Sequence, residues 1–134
     1  MIVVDTSAII AVLYQEPEFE EFARLIADAE SCFISAVSYF EASMVLIGRS
    51  TPQAANELDV FLERAAIEFV PFDYELAKRA RDAFIRFGRG RHPAGLNFGD
   101  CMSYALAQTR GLPLLYKGND FARTDVVSAS PLRE

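Results

Sequence analysis

Short apolar runs return along this chain, each separated from the next by a stretch with helical spacing. They are Ile2-Val-Val4, Cys32-Phe-Ile34, Ile67-Glu-Phe-Val70 and Leu114-Leu-Tyr116. Runs so short suit strands, the β-branched Ile2-Val-Val4 a buried one, and the helices between them supply the crossovers that parallel strands require. The alternation restricts the chain to an α/β class. The expected architecture is three-layer α/β/α with a central parallel sheet of four to five short strands, Val126-Val-Ser128 being the candidate fifth. No linker, repeat or low-complexity tract interrupts the 134 residues, so 1–134 is expected to be a single domain.

The helices are placed by their ends. One runs from Thr6 to about Tyr14, with Asp5, Thr6 or Ser7 as its cap. Pro17 opens a second, carrying Phe19, Phe22, Leu25 and Ile26 at helical spacing. Ser38-Tyr-Phe-Glu41 matches the S-x-x-E capping box at the head of a third. Thr51-Pro52 starts a fourth, through Leu58, Phe61 and Leu62. A fifth spans about Asp73 to Phe87, with Leu76, Ala80, Ala83, Phe84 and Phe87 on one side. After the loop GRGRHPAG comes NFGDCMSYALAQTRG, a mostly apolar helix closed by Gly111 that nevertheless carries Asp100 in its first turn.

That carboxylate belongs to a pattern. Asp5 closes the first strand, Glu41 follows the second, Asp100 opens the NFGD helix and Asp120 follows the fourth strand in KGNDF. In an open parallel sheet, ligands bind in the crevice outside the carboxyl ends of the strands, where all four can meet. Each also has a plain structural reading, as helix cap, capping-box acid or turn residue, worth a few tenths to about 1 kcal/mol with the helix dipole. Convergence has a larger consequence. Two carboxylates about 4 Å apart repel by about 4 kcal/mol at an effective dielectric of 20. Several such pairs would rival a domain's whole stability, about 5–15 kcal/mol. Converging acids must therefore take up protons or divalent cations. With no histidine or cysteine cluster beside them, an all-oxygen site suits Mg²⁺, with Mn²⁺ as the alternative. The chemistry that follows is metal-assisted cleavage of a phosphodiester.

Other classes fall away. There is no Gly-x-Ser-x-Gly elbow, no Walker-type loop and no GxGxxG after a strand. Cys32 and Cys101 lie in apolar surroundings without metal-ligand spacing and read as buried thiols. The opening MIVVDTSAIIAVLY lacks a basic segment, is broken by Asp5 and is too short to span a bilayer, so a cytoplasmic location is expected. A net charge of −6 argues against gripping nucleic acid by overall charge, but the charge is uneven: KRARDAFIRFGRGRH, residues 78–92, carries +5, leaving −11 elsewhere.

The motifs together resemble a known family. VVDTSA, the glutamate of SYFEA, RHPAGLNFGDC and LLYKGNDFARTD, in order over essentially the whole chain, resemble PIN-domain ribonucleases and, more narrowly, the VapC toxins of type II VapBC toxin–antitoxin systems. The resemblance implies a PIN-like fold and a Mg²⁺- or Mn²⁺-dependent endoribonuclease that activates water for attack on phosphorus. It matches Asp5, Glu41, Asp100 and Asp120 to the catalytic acids, with Asp5 and Asp100 as direct metal ligands. Thr6 or Ser7 beside Asp5, and Asn97 beside Asp100, are supporting candidates, and Asp125 is either an outer acid or a turn residue. Arg86, Arg89, Arg91, His92 and Lys117, with Arg123, form the candidate RNA track; its structural alternative is a solvated helix face. A VapB-type antitoxin is the implied inhibitor, and a homodimer or a toxin–antitoxin hetero-oligomer the implied assembly, without a membrane. Phe19, Phe22, Phe40, Phe61 and Phe98 are candidates for apolar grooves that would receive the inhibitor, core packing being the alternative for most of them.

Two rivals remain at this level. One is a phosphoryl-transfer protein of the receiver or haloacid-dehalogenase kind with Asp5 as acceptor, although DTS lacks the second acid of a DxD motif. The other is a non-catalytic RNA-binding module whose acids only cap helices.

Overall fold

The structure, a computed structural model, describes residues 1–131; the last three residues of the expected domain, 132–134, lie outside the described part. The elements in order are β1 (Ile2–Val4), α1 (Thr6–Leu13), α2 (Phe19–Asp28), β2 (Cys32–Ser35), α3 (Ala36–Arg49), α4 (Ala54–Arg64), β3 (Ile67–Val70), α5 (Tyr74–Phe87), α6 (Phe98–Arg110) and β4 (Leu114–Leu115). A 3₁₀ turn, Phe121–Arg123, follows. The strands form one sheet in the order β3-β2-β1-β4, and every neighbouring pair is parallel, with Ile2 opposite Cys32, Val3 opposite Leu114 and Ile34 opposite Phe69.

Successive strand side chains point to opposite faces, and the two cores follow that rule. Val3, Phe33, Val70 and Leu114 join Leu76, Ala80 and Ala83 of α5 and the buried length of α6. Val4, Ile34, Ile67 and Leu115 join α1, α2, α3 and α4 on the other face. Helices α5 and α6 thus cover one face and the other four cover the second, giving the three layers. Helix α6 is apolar nearly all round because it is buried along its middle, from Cys101 to Ala107. It stops at Gly111, whose φ of 63° is the left-handed conformation that glycine adopts without penalty. Both cysteines are free and buried. No helix among the described residues is long and apolar enough to cross a membrane.

The structure differs from the sequence reading at several ends. Val126-Val-Ser128 is not a strand: it contributes an isolated parallel bridge, Ser128 to Leu114, beside a β4 only two residues long. Ser38 does not open α3. Ser35, at the end of β2, takes that role by accepting from the Val37 N–H at 3.0 Å, so the helix starts three residues earlier and Glu41 sits in its second turn. Helices α2 and α4 begin at Phe19 and Ala54, two residues beyond the prolines expected to open them. Phe84 also leaves the apolar stripe of α5, being 42% exposed.

Candidate active site

Asp5 follows directly on β1, and its N–H donates to Leu115 O at 2.9 Å, tying it to the end of β4. Its carboxylate serves two neighbourhoods at once. Oδ2 accepts from the Ser7 N–H at 3.0 Å and from Ser7 Oγ at 2.7 Å, capping α1. Oδ1 accepts from Ser103 Oγ on α6 at 2.5 Å. The residue is 4% exposed. Beside it, Thr6 Oγ1 donates to Ser38 O at 3.2 Å, joining the first turns of α1 and α3.

Glu41 leans on α6 where α6 has no side chain. A β-carbon placed on Gly99 would stand 2.3 Å from Glu41 Oε2, so only glycine leaves space for this carboxylate. Burial pushes the Glu41 carboxyl above its ordinary range; a hydrogen bond with Thr6 draws it back, and the charge of Asp5 adds to the rise.

Asp100 completes a capping box. Its N–H donates to Asn97 Oδ1 at 2.9 Å, and its Oδ2 accepts from the Asn97 N–H at 3.1 Å. Burial is the main cause that lifts its carboxyl to about 7; the Asn97 hydrogen bond opposes the rise, and Asp5, Asp120 and Glu41 add to it in that order. Asp120 precedes the 3₁₀ turn, is exposed, and makes no capping bond with its side chain.

The other three acids therefore all act on Asp100, in the crevice beyond the carboxyl ends of β1, β2 and β4. Among the described residues, no three His, Cys, Asp or Glu side chains close into a ready-made metal cage. The donor set itself is carboxylate, hydroxyl and amide oxygen, without nitrogen or sulfur, and its like charges add to the rise of the Glu41 and Asp100 carboxyls. Together with the space left at Gly99 for Glu41, it fits a hard divalent cation that retains waters.

The remaining candidates are placed elsewhere. Asp125 lies outside the acid crevice: it accepts from Tyr104 Oη, from Arg86 Nη2 at 3.0 Å and from Gln108 Nε2 at 3.2 Å, on the flank between α5 and α6. The Tyr104 bond and Arg86 hold its carboxyl below the usual range despite some burial. Arg86 is thus committed to an ion pair, although its side chain remains 56% exposed. Lys117 Nζ pairs with Glu16 at 2.9 Å and Glu18 at 3.4 Å. Arg91 donates through Nε to Ile85 O, and His92 Nδ1 accepts from the Ala94 N–H while its ring meets Phe87 edge-on. These bonds shape the loop before α6. Arg89 and Arg91 are exposed on it, and Arg123 reaches Pro93 O of the same loop at 3.1 Å.

Of the candidate phenylalanines, Phe22 is fully buried, Phe19 and Phe61 are half-buried, and Phe40 and Phe98 are 64% and 70% exposed. Phe61 lines a groove of about 910 Å³ between α2 and α4, with Ile26, Val60 and several alanines. Ser31, Cys32, Ala65 and Ala66 close it at the amino ends of β2 and β3, so this roomy groove is not where the acids are.

Two residues of the site had not been singled out from the sequence: Gly99, and Ser103, which reaches Asp5. The signal for Ser103 is its spacing, three residues after Asp100, which puts both on one face of α6.

The PIN domain family matches residues 2–127. A ribonuclease VapC from Mycolicibacterium smegmatis is 45% identical over 126 residues, covering 94% of this chain and 98% of the relative. Among solved structures, the fold is similar to VapC20 of Mycobacterium tuberculosis, a sarcin-ricin loop cleaving toxin, with a TM-score of 0.80 at 19% identity over 98% of this chain and 100% of that one. It is also similar to a chain of a toxin–antitoxin complex from Klebsiella pneumoniae, with a TM-score of 0.72 at 20% identity over 96% and 98% of the two chains.

Proposed function

The chain belongs to the PIN-domain family, among the VapC ribonucleases, and from that premise we propose how it cuts RNA and with which residues. It is the ribonuclease toxin of a type II toxin–antitoxin system. Its activity depends on a divalent metal ion; we assign Mg²⁺, with Mn²⁺ able to replace it. The family removes the phosphoryl-transfer and non-catalytic alternatives.

The observation that carries the residue assignment is the shared electrostatics of the crevice: Asp5, Asp120 and Glu41 each raise the Asp100 carboxyl. Asp5 and Asp100 would hold the ion, Asp5 anchored at the end of β1 and Asp100 by its capping box. Such an ion, when bound, lowers the pKa of water and offsets charge building on phosphate. Glu41, already displaced towards proton binding by burial, is the acid suited to accept the proton of the attacking water. Asp120, exposed before the 3₁₀ turn, would orient a water or add an oxygen to the set that holds the ion. Ser7, Thr6 and Asn97 hold Asp5, Glu41 and Asp100 through the bonds described above. Arg89 and Arg91 on the exposed loop, and Lys117 once it exchanges Glu16 and Glu18 for phosphate, guide the RNA backbone. Arg86 and His92 act at the edge of this track.

The antitoxin is of the VapB type. The groove between α2 and α4 supports docking of an amphipathic segment there. The toxin acts as a homodimer or within a hetero-oligomer, in the cytoplasm, and residues 1–134 form a single PIN domain. The decisive assay incubates antitoxin-free protein with a structured RNA pool in Mg²⁺, Mn²⁺ or EDTA, beside Asp100→Asn. Discrete fragments that need both metal and Asp100 are expected; cleavage retained by the variant would overturn the assignment.

A further inference from the structure

Two hydroxyls that no helix cap or turn accounts for lie buried behind Asp5. Ser103, one turn beyond Asp100 on α6, is 1% exposed, and Ser38, in the first turn of α3, is 0% exposed. Burying a hydroxyl is unfavourable unless it is hydrogen-bonded, and alanine would satisfy packing at either place. Their bonds have a fixed direction. An ionised carboxylate only accepts, and a serine has one proton. Ser103 therefore donates to Asp5 Oδ1 at 2.5 Å, and Ser38 donates across 3.1 Å to Ser103 Oγ. The other side of Asp5 repeats the arrangement: the Lys117 N–H donates to Ser7 Oγ at 2.9 Å, and Ser7 Oγ donates to Oδ2 at 2.7 Å.

A carboxylate has roughly four acceptor positions, about two on each oxygen. Ser7 fills both on Oδ2 through its N–H and Oγ, and Ser103 fills one on Oδ1. The position left open is on Oδ1.

We propose that Ser103, backed by Ser38, is a positioning residue that locks the rotation of the Asp5 carboxylate and makes Oδ1 the oxygen offered to the divalent cation. The inference rests on the metal site proposed above. Without Ser103 the carboxylate keeps its Ser7 cap and its place on β1 but loses the bond that fixes Oδ1. Partners of this kind commonly change metal affinity by about 10–100-fold.

The test is Mn²⁺ titration of the antitoxin-free chain by electron paramagnetic resonance, for the parent protein, Ser103→Ala, Ser103→Thr, Ser38→Ala and Asp100→Asn. Ser103→Ala is expected to weaken Mn²⁺ binding by about tenfold or more, Ser38→Ala by less, and Ser103→Thr, which keeps the hydroxyl, to retain most of the affinity. In cleavage, Ser103→Ala should raise the Mn²⁺ concentration for half-maximal rate while leaving the KM for RNA unchanged. Unaltered Mn²⁺ affinity in Ser103→Ala, with binding lost in Asp100→Asn, overturns the role of Ser103 and leaves the metal site standing. A parent protein that binds no Mn²⁺, or an Asp100→Asn variant that binds it equally, overturns the site and this inference together. If Ser103→Ala fails to unfold cooperatively, Ser38→Ala decides: weakened binding supports the relay and unchanged binding overturns it.

Discussion

Replacing Gly99 by alanine should separate stability from activity. The new β-carbon would lie 2.3 Å from Glu41 Oε2 and 2.6 Å from Glu41 Cδ, whereas ordinary contact begins at 3.4 Å, so one side must retreat by about 1 Å. The backbone of α6 is held by the Asn97–Asp100 capping box and by burial along the helix, while the Glu41 carboxylate is the end of a flexible side chain held by its bond with Thr6. Glu41 is the group that moves. The fold then gives up at most the Glu41–Thr6 bond, which exchanging glycine for alanine in a helix, favourable by up to about 1 kcal/mol, offsets. Melting temperature should stay level or rise. Catalysis should respond in the opposite sense, because displacing a catalytic group by about 1 Å can slow a reaction by about 10²-fold. Thermal unfolding followed by circular dichroism, beside single-turnover cleavage of a defined RNA, reads both quantities. A variant that melts as the parent does and also cleaves at the parent rate would show that the Glu41 carboxylate is not required where it lies.

The crevice also makes pH predictions. The Asp100 carboxyl titrates at about 7 in the folded chain against an ordinary 3.8, so its contribution favours folding at low pH and is lost as pH rises through 7. Metal-free protein should melt higher near pH 6 than near pH 8, and Asp100→Asn should flatten that difference. Metal binding displaces the same proton, so Mn²⁺ affinity measured by calorimetry should fall as pH drops below 7. Arg89→Ala and Arg91→Ala should weaken RNA binding and each lower the slope of log K against log salt by about 0.7, the single-strand value per phosphate contact; filter binding at several salt concentrations reads the slope. Leu106→Ala, at a site 1% exposed between α6 and the sheet, should destabilise by about 2–5 kcal/mol in urea unfolding.

The inner strands were legible because β1 and β2 are largely buried and so read as short apolar runs, Ile2–Val4 and Cys32–Ile34, whereas edge strand β3 buries only its end residues Ile67 and Val70 and exposes Glu68 and Phe69. Asp5 was legible because it stands directly after β1, and Asp100 because a charged residue in the first turn of a mostly apolar helix is conspicuous. The head of α3 was misread for a local reason. Ser35 and Ser38 are both credible caps, and S-x-x-E spacing favours Ser38. What decides is that β2 ends at Ser35 in extended geometry, which leaves Ser38 to turn inward to Ser103. A partner 65 residues away in sequence leaves no local signature. The same holds for Asp125: its place in TD beside the last acid suggested the crevice, and its actual partners, Tyr104, Arg86 and Gln108, come from two helices that only the fold brings to it.

Capping and metal binding first look like competing explanations for the acids, and the hydrogen bonds make them one. Asp5 Oδ2 caps α1 and Asp100 Oδ2 closes the capping box of α6, in each case leaving Oδ1 outside the capping bond. In both, the backbone holds one oxygen of the carboxylate, and under the proposed site the other is the one offered to the cation. On that proposal a helix end helps to mount the carboxylate, and at Asp5 the Ser103 bond to Oδ1 completes the lock. Repulsion among the acids still has to be borne when no cation is present, and Asp100 shows how: it holds a proton up to about pH 7. Two ordinary elements, a cap and a protonated acid, let the chain fold before it meets its metal. A chain mutated to lose the caps but keep all four carboxylates would test that view, and Asn97→Ala is the simplest such change. It removes the side-chain partner of the Asp100 N–H and leaves every acid in place. Loss of an N-cap lowers stability by about 0.5–2 kcal/mol. If the cap also mounts the ligand, Mn²⁺ affinity should fall with it, and affinity that survives the loss of stability would separate the two roles again.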